Sequence, residues 1–313
     1  MKEHSRFAIA VSTTGVVLFL AASHAALCLS ARAWVSVSGN DGNDCSRSTP
    51  CRTLTGALAK TSSGGEIDVL DSGDFGAVTL DRAVSVVTPG VLGGLQATSS
   101  AAITVNAGAA DRIVLRGLTI DGLGTAQDGI VFVAGGSLYV ENCTINNFAR
   151  YGIEFAPTSG SGKLFVTDTI VRNTGVGSIG GGVHMISTVA PGFIASLDGL
   201  RTENNTFGLK AETWGVVTVR NSLSANNAFS GMTAVTPLGT GDVRLFVENS
   251  VSTNNLYGVI SSGTSVAIIS NMAITSNTTG LGISNGGLIQ SFGNNKIYAN
   301  GTNGAPTATV PQI

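Results

Sequence analysis

The chain has 313 residues, of which 42 are glycine and 7 proline, with 43% hydrophobic and 12% charged residues and a formal net charge of −2. That hydrophobic content excludes a disordered chain, and so much glycine without a Gly-X-Y period excludes collagen. No basic block is present, so nucleic-acid binding has no electrostatic footing.

Residues 1–33 read as a secretory signal. Lys2 and Arg6 make a basic start, the apolar run FAIAVSTTGVVLFLAA comes next, and Ala31-Arg32-Ala33 supplies an A-x-A-type cleavage site. A membrane anchor fits less well, because Ser12, Thr13, Thr14 and Gly15 interrupt the run. No later apolar stretch could span a bilayer. The expected location is therefore secreted, periplasmic or on the cell surface. Loss of the leader would make the net charge about two units more negative and leave His184 as the only histidine.

Cys45 and Cys51 then flank a short polar loop, CSRSTPC. Export makes a disulfide between them the expected state. A metal site would need another nearby soft ligand, and none stands in sequence. Cys143 is left over and reads as a buried thiol. RTLTGALAKT (52–61) places Leu54, Leu58 and neighbouring alanines at helical spacing. It predicts a short helix covering the open first coil of a strand-rich region. EIDVL (66–70), AVTL (77–80), AVSVV (83–87) and AITV (102–105) are the early strands.

From there the sequence repeats. A short apolar strand succeeds a glycine in GIVFV (129–133), GIEF (152–155), GVHM (182–185), GLKAE (208–212), GMTAV (231–235), GVISS (258–262) and GLGIS (280–284). The glycines sit 23, 30, 26, 23, 27 and 22 residues apart. A second strand recurs between them, as in LYVEN (138–142) and LFVEN (245–249), and ends in Asn or Asp. That column reads Asn142, Asp168, Asp198, Asn221, Asn249, Asn271 and Asn294. Most repeats then carry a second asparagine turn, with NN at 146–147, 204–205, 226–227 and 254–255. A unit of three short strands cannot bury its own apolar face and must stack on its neighbours. The period and the absence of helical patterning predict an all-β parallel solenoid of about nine coils with a short N-terminal capping helix. Ile130, Ile153, Val183, Leu209, Met232, Val259 and Leu281 should form one inward stack. Asparagine tolerates the left-handed turn region, and its amides could form a ladder along the axis. Residues 34–64 form the expected cap, 65–300 the solenoid and 301–313 a loose tail, in one domain and as a monomer.

WVSVSGNDGNDCSRSTPCRTLTGALAKTSSGGEIDVLDSGDFG, together with these asparagine-turn coils, resembles the right-handed parallel β-helix superfamily of pectate lyases. The resemblance spans nearly all of residues 34–300. It implies fold far more specifically than activity, since the superfamily includes lyases, hydrolases, esterases, epimerases, tailspikes and non-enzymatic surface proteins. In the lyases and hydrolases of this kind, a sugar groove runs along an outer strand face.

Strand alternation places His184 on the outer face, with Glu154 one coil before and Lys210 one coil after. Glu212 lies two residues beyond Lys210, on the same face. This grouping suits β-elimination on a uronic acid: His184 or Lys210 as base, with Glu154 and the other groups orienting substrate. Arg150 and Arg172 are expected to hold sugar carboxylates, and Trp214 to stack on a ring. Exposed Glu, His and Lys neighbours are also ordinary cross-strand charge pairs. The Gly-His-Gly segment of polygalacturonases is absent, since Val183 and Met185 flank His184. No cofactor is evident, and Ca2+ would require scattered acids to converge. Gly175 to Gly180 matches a dinucleotide fingerprint by letters but has no helix after it. Two function classes stay open. One is an exported protein that binds a polysaccharide or cell-surface glycan, with polysaccharide lyase as its enzymatic form. The other is a non-catalytic structural or adhesive surface protein.

Overall fold

The computed structural model describes residues 29–159, 161–177, 180–237 and 240–311. Alternating apolar residues put one strand face inward and one outward, and three such strands per repeat close each coil. The coils stack into three parallel sheets of twelve, nine and ten strands. The expected inward stack is present in register: Ile130 pairs with Ile153, then Val183, Leu209, Met232, Val259 and Leu281 in turn. All seven are buried.

The repeat glycine has a steric cause. A β-carbon at Gly129, Gly152, Gly182, Gly208, Gly231 or Gly258 would lie within 3.0 Å of the carbonyl oxygen of the equivalent glycine one coil on. These positions need close backbone approach, whereas the turns need a left-handed backbone. Asn142, Asp168, Asn221, Asn249 and Asn271 all take positive φ. They ladder along the surface: Asn221 donates to Asp198 at 2.8 Å, Asn249 to Asn221 at 2.5 Å and Asn271 to Asn249 at 3.2 Å.

The interior ladder is a different column. Asn205, Asn227, Asn255 and Asn277 are buried, and they belong to the second asparagine turn of each repeat. Asn227 donates to Asn255 at 2.9 Å, Asn255 to Asn277 at 3.0 Å, and Asn277 to Asn300 at 3.0 Å. The two asparagines of each pair divide the work. The left-handed one (Asn204, Asn226 or Asn254) makes the bend, and the next one points inward and satisfies buried backbone groups.

At the N-terminal end, the helix Leu54–Lys60 buries Leu54, Ala57 and Leu58. The Thr53 hydroxyl caps it by accepting from the Gly56 N–H. Asp41 in turn accepts from the Arg52 and Thr53 backbone N–H groups. Cys45 and Cys51 form a disulfide, and both are buried. Most of the expected leader, residues 1–28, lies outside the described residues. Ser30–Val35, however, form the first strand of the twelve-stranded sheet, paired in parallel with Thr61–Val69. Ala33 is fully buried there, and Arg32 pairs with Asp68 at 2.5 Å and Glu66 at 2.9 Å. The solenoid thus begins inside the segment expected to be cleaved. The tail also differs from a loose end: Ala308–Thr309 pair with Leu288–Ser291. Among the described residues, no helix is long and apolar enough to cross a membrane.

Candidate functional site

The outer column of the nine-stranded sheet runs Thr104, Val131, Glu154, His184, Lys210, Thr233, Ile260 and Gly282 in register. Glu154, His184 and Lys210 therefore stand on three successive coils. Their surroundings differ from an open charged strip. His184 is only 6% exposed, which corrects the expectation of an exposed histidine. Its ring stacks on Tyr151 at 4.6 Å and meets Phe207 edge-on at 6.3 Å. Tyr151 and Phe207 reach it from the coils on either side because the position between them is Gly181. A β-carbon at Gly181 would strike the Phe207 ring.

The imidazole is held between two carboxylates. Nε2 lies 3.2 Å from Glu212 Oε2. Nδ1 is buried without a hydrogen-bond partner, and Glu154 Oε1 stands 4.0 Å away. Each carboxylate also holds a cation. Lys210 Nζ is 2.5 Å from Glu212. Arg150 Nη2 is 2.7 Å from Glu154 and 2.5 Å from buried Asp128. The His184 hydrogen bond, with that of Lys210, pulls the Glu212 carboxyl down to about 2. Burial raises the Glu154 carboxyl above its ordinary value, against the opposing pull of Arg150. Two carboxylates one coil either side of a single ring are thus driven in opposite directions, by hydrogen bonds in one case and by desolvation in the other.

Beside this network lies an open cleft of about 450 Å³, lined by Thr206, Phe207, Lys210, Ala228, Phe229 and Thr233, with Gly177 at its rim. Phe229 is 42% exposed and meets Tyr257 edge-on at 5.5 Å. The cleft and the ionic network share Phe207 and Lys210, so the face has a charged, closed half and an apolar, open half.

The remaining expected residues divide. Arg150 and Glu212 join the network, but Arg150 is occupied by two carboxylates. Arg172 lies at the end of Ile170–Arg172 in the ten-stranded sheet, between Asn146 and Glu203, and not on this face. Trp214 sits in a left-handed turn with its indole against Gly241, and it does not line the cleft. Asp128, Tyr151, Phe207 and Phe229 are site residues that strand alternation alone does not reveal. A signal exists for three of them: the residue before each repeat glycine reads Asp128, Tyr151, Gly181, Phe207, Ser230, Tyr257 and Thr279. Among the described residues no three His, Cys, Asp or Glu side chains form a group placed to hold a metal ion. Cys143 is buried, and burial pushes its thiol up to about 11, which removes it as a nucleophile.

Neither a family model nor a curated protein matches the chain. Solved structures do. Pectate lyase Pel9A superposes with a TM-score of 0.64 at 14% identity, over 83% of this chain and 74% of that one. A rhamnogalacturonan lyase gives 0.54 at 13% identity, over 78% and 74%. The Dettilon tailspike protein gives 0.51 at 11% identity, over 76% and 56%. Three parallel sheets, about nine turns and these superpositions make the chain, in fold, a right-handed parallel β-helix of the pectate-lyase type.

Proposed function

We propose that this is an exported glycan-binding β-helix that seats a polysaccharide on the outer face of its nine-stranded sheet, in the cleft beside Lys210. One observation carries the reading. An open, apolar, aromatic-lined cleft adjoins a fixed ionic network on a single strand face. Sugar rings present apolar C–H faces that stack on aromatic side chains, while their hydroxyls find polar partners at the edge. Phe229 and Phe207 supply the first, and Thr206, Thr233 and Lys210 the second. Two solved structures of the same fold are named as polysaccharide lyases, which supports a carbohydrate ligand.

Binding is better supported than turnover. β-Elimination needs a base whose lone pair reaches the substrate's acidic proton. His184 is enclosed by Tyr151 and Phe207, and Lys210 is engaged by Glu212. The network also has no surplus cation: Arg150 and Lys210 face Asp128, Glu154 and Glu212. A neutral sugar ring therefore suits this cleft better than a uronate. The test is a screen of immobilised oligosaccharides with the exported protein and with Phe229→Ala. Loss of a neutral-glycan signal by about tenfold or more in Phe229→Ala, with the melting temperature unchanged, is the expected result; removal of one stacking ring is a change of this order. No glycan bound by the wild type would instead leave a structural spacer.

A further inference from the structure

A second set of residues lies on the outer face of the twelve-stranded sheet, away from the network above. Arg112, Ser137 and Lys163 occupy one column on three successive strands. Strands in a sheet lie ~4.8 Å apart, so the two cations flank the small Ser137 with their backbones roughly 10 Å from each other. In the adjacent outer column, Tyr139 stacks on Phe165 with ring centres 4.6 Å apart and planes at 14°. The Arg112 guanidinium covers the Tyr139 ring at 4.4 Å. An open cleft of about 500 Å³ runs over Ser137 between Lys163, the two rings and the small residues Ala109, Ala110 and Gly136.

Charge separates this face from the other one. Neither Arg112 nor Lys163 makes an ion pair among the described residues, whereas Arg150 and Lys210 both do. We propose that Arg112, Ser137, Tyr139, Lys163 and Phe165 form a second glycan subsite, which takes an acidic polysaccharide through an anionic sugar substituent. An anion above Ser137 would meet the Lys163 ammonium in the cleft, with the Arg112 guanidinium beside it against the Tyr139 ring. The aromatic edges that carry partial positive charge border the same space. The protein as a whole is slightly acidic, so diffuse attraction does not draw polyanions here and local geometry must do so. An acidic peptide is a poorer occupant. Every strand here has hydrogen-bonded neighbours on both sides, so the face offers side chains and no free edge for an added strand.

The experiment is affinity electrophoresis of the full chain in gels containing dextran, carboxymethyl-dextran or dextran sulfate, one backbone with three charge states. Variants are Arg112→Gln/Lys163→Gln and, for the other face, Phe229→Ala. The expected result is retardation by one or both charged polymers, salt-sensitive and weakened at least tenfold in the double variant. Phe229→Ala should behave as wild type in the charged gels. Whichever of carboxymethyl-dextran or dextran sulfate retards more identifies the preferred anion. Charged-gel retardation no greater than in neutral dextran, absence of retardation in both charged gels, or unchanged retardation of the double variant would overturn the proposal, whereas retardation by neutral dextran that Phe229→Ala abolishes belongs to the first cleft. Because Phe229→Ala reports on the first cleft alone, failure of one site is distinguishable from failure of the other.

Discussion

Replacing Asn255 by alanine strikes the interior ladder at its middle. The Asn255 side chain accepts from the Asn227 backbone N–H and side-chain amide, both at 2.9 Å. It donates to Asn277 Oδ1 at 3.0 Å and to Ser252 Oγ and Ser224 O at 3.2 Å each. Not all of these losses weigh equally. The Asn227 amide keeps Thr202 O and Ser224 Oγ, and Asn277 Oδ1 keeps the Asn255 backbone N–H. The Asn227 backbone N–H keeps nothing. An orphaned buried donor costs ~1–3 kcal/mol, and each further buried bond ~0.5–1.5 kcal/mol net. Asn255→Ala should therefore lose roughly 3–5 kcal/mol. The control is Asn249→Gly in the surface ladder. Asn249 is exposed, its φ is 49°, and glycine takes that backbone freely, so the loss should stay below ~1 kcal/mol. Urea unfolding at neutral pH compares the two through their midpoints at a common slope. Equal losses, or a larger loss for Asn249→Gly, would refute the assignment of the load to the interior column.

Glu212, held at about 2 against an ordinary 4.5, should contribute stability that is present above pH 4.5 and lost as pH falls toward 2. Discounted for the solvent that reaches it, Glu212→Gln should lose ~1–3 kcal/mol at pH 7 and little near pH 2; a loss independent of pH would contradict the hydrogen-bonded carboxylate. In protein cleaved after Cys28, Cys143 should resist a thiol reagent in the native state and release one equivalent on unfolding without reductant, while Cys45 and Cys51 stay linked; rapid native labelling would show the thiol to be accessible. N-terminal sequencing of exported protein should find a start at or before Ser30, since the Ser30–Val35 strand and the Arg32 pairs belong to the first coil. Exported protein that starts at Trp34 with unchanged stability would show that strand segment to be dispensable.

The sequence by itself determined the solenoid, because one physical requirement repeats. Each coil must bury an apolar stripe on its neighbours, and each repeat glycine must clear the next coil's carbonyl. That spacing set the register from Ile130 to Leu281 and the column from Glu154 through His184 to Lys210. The helix Leu54–Lys60 and the Cys45–Cys51 bond were also legible, since capping and loop closure act locally. Tertiary structure alone decided what each outward residue touches. A period of two says which side of a strand a residue leaves, but not how far a neighbouring ring leans across a gap. The absence of a side chain at Gly181 lets Tyr151 and Phe207 enclose His184. Closure of each coil into three sheets set Arg172 on another face and turned the second asparagine of each pair inward, while the strand-end column ladders at the surface. Asp128 from the preceding coil and Glu154 from its own fix Arg150, and Glu212, two residues on in the same strand, fixes Lys210, while Arg112 and Lys163 have no carboxylate partner among the described residues. The Asp128–Arg150 and Glu212–His184 contacts depend on side-chain reach between coils, which no spacing along the chain encodes.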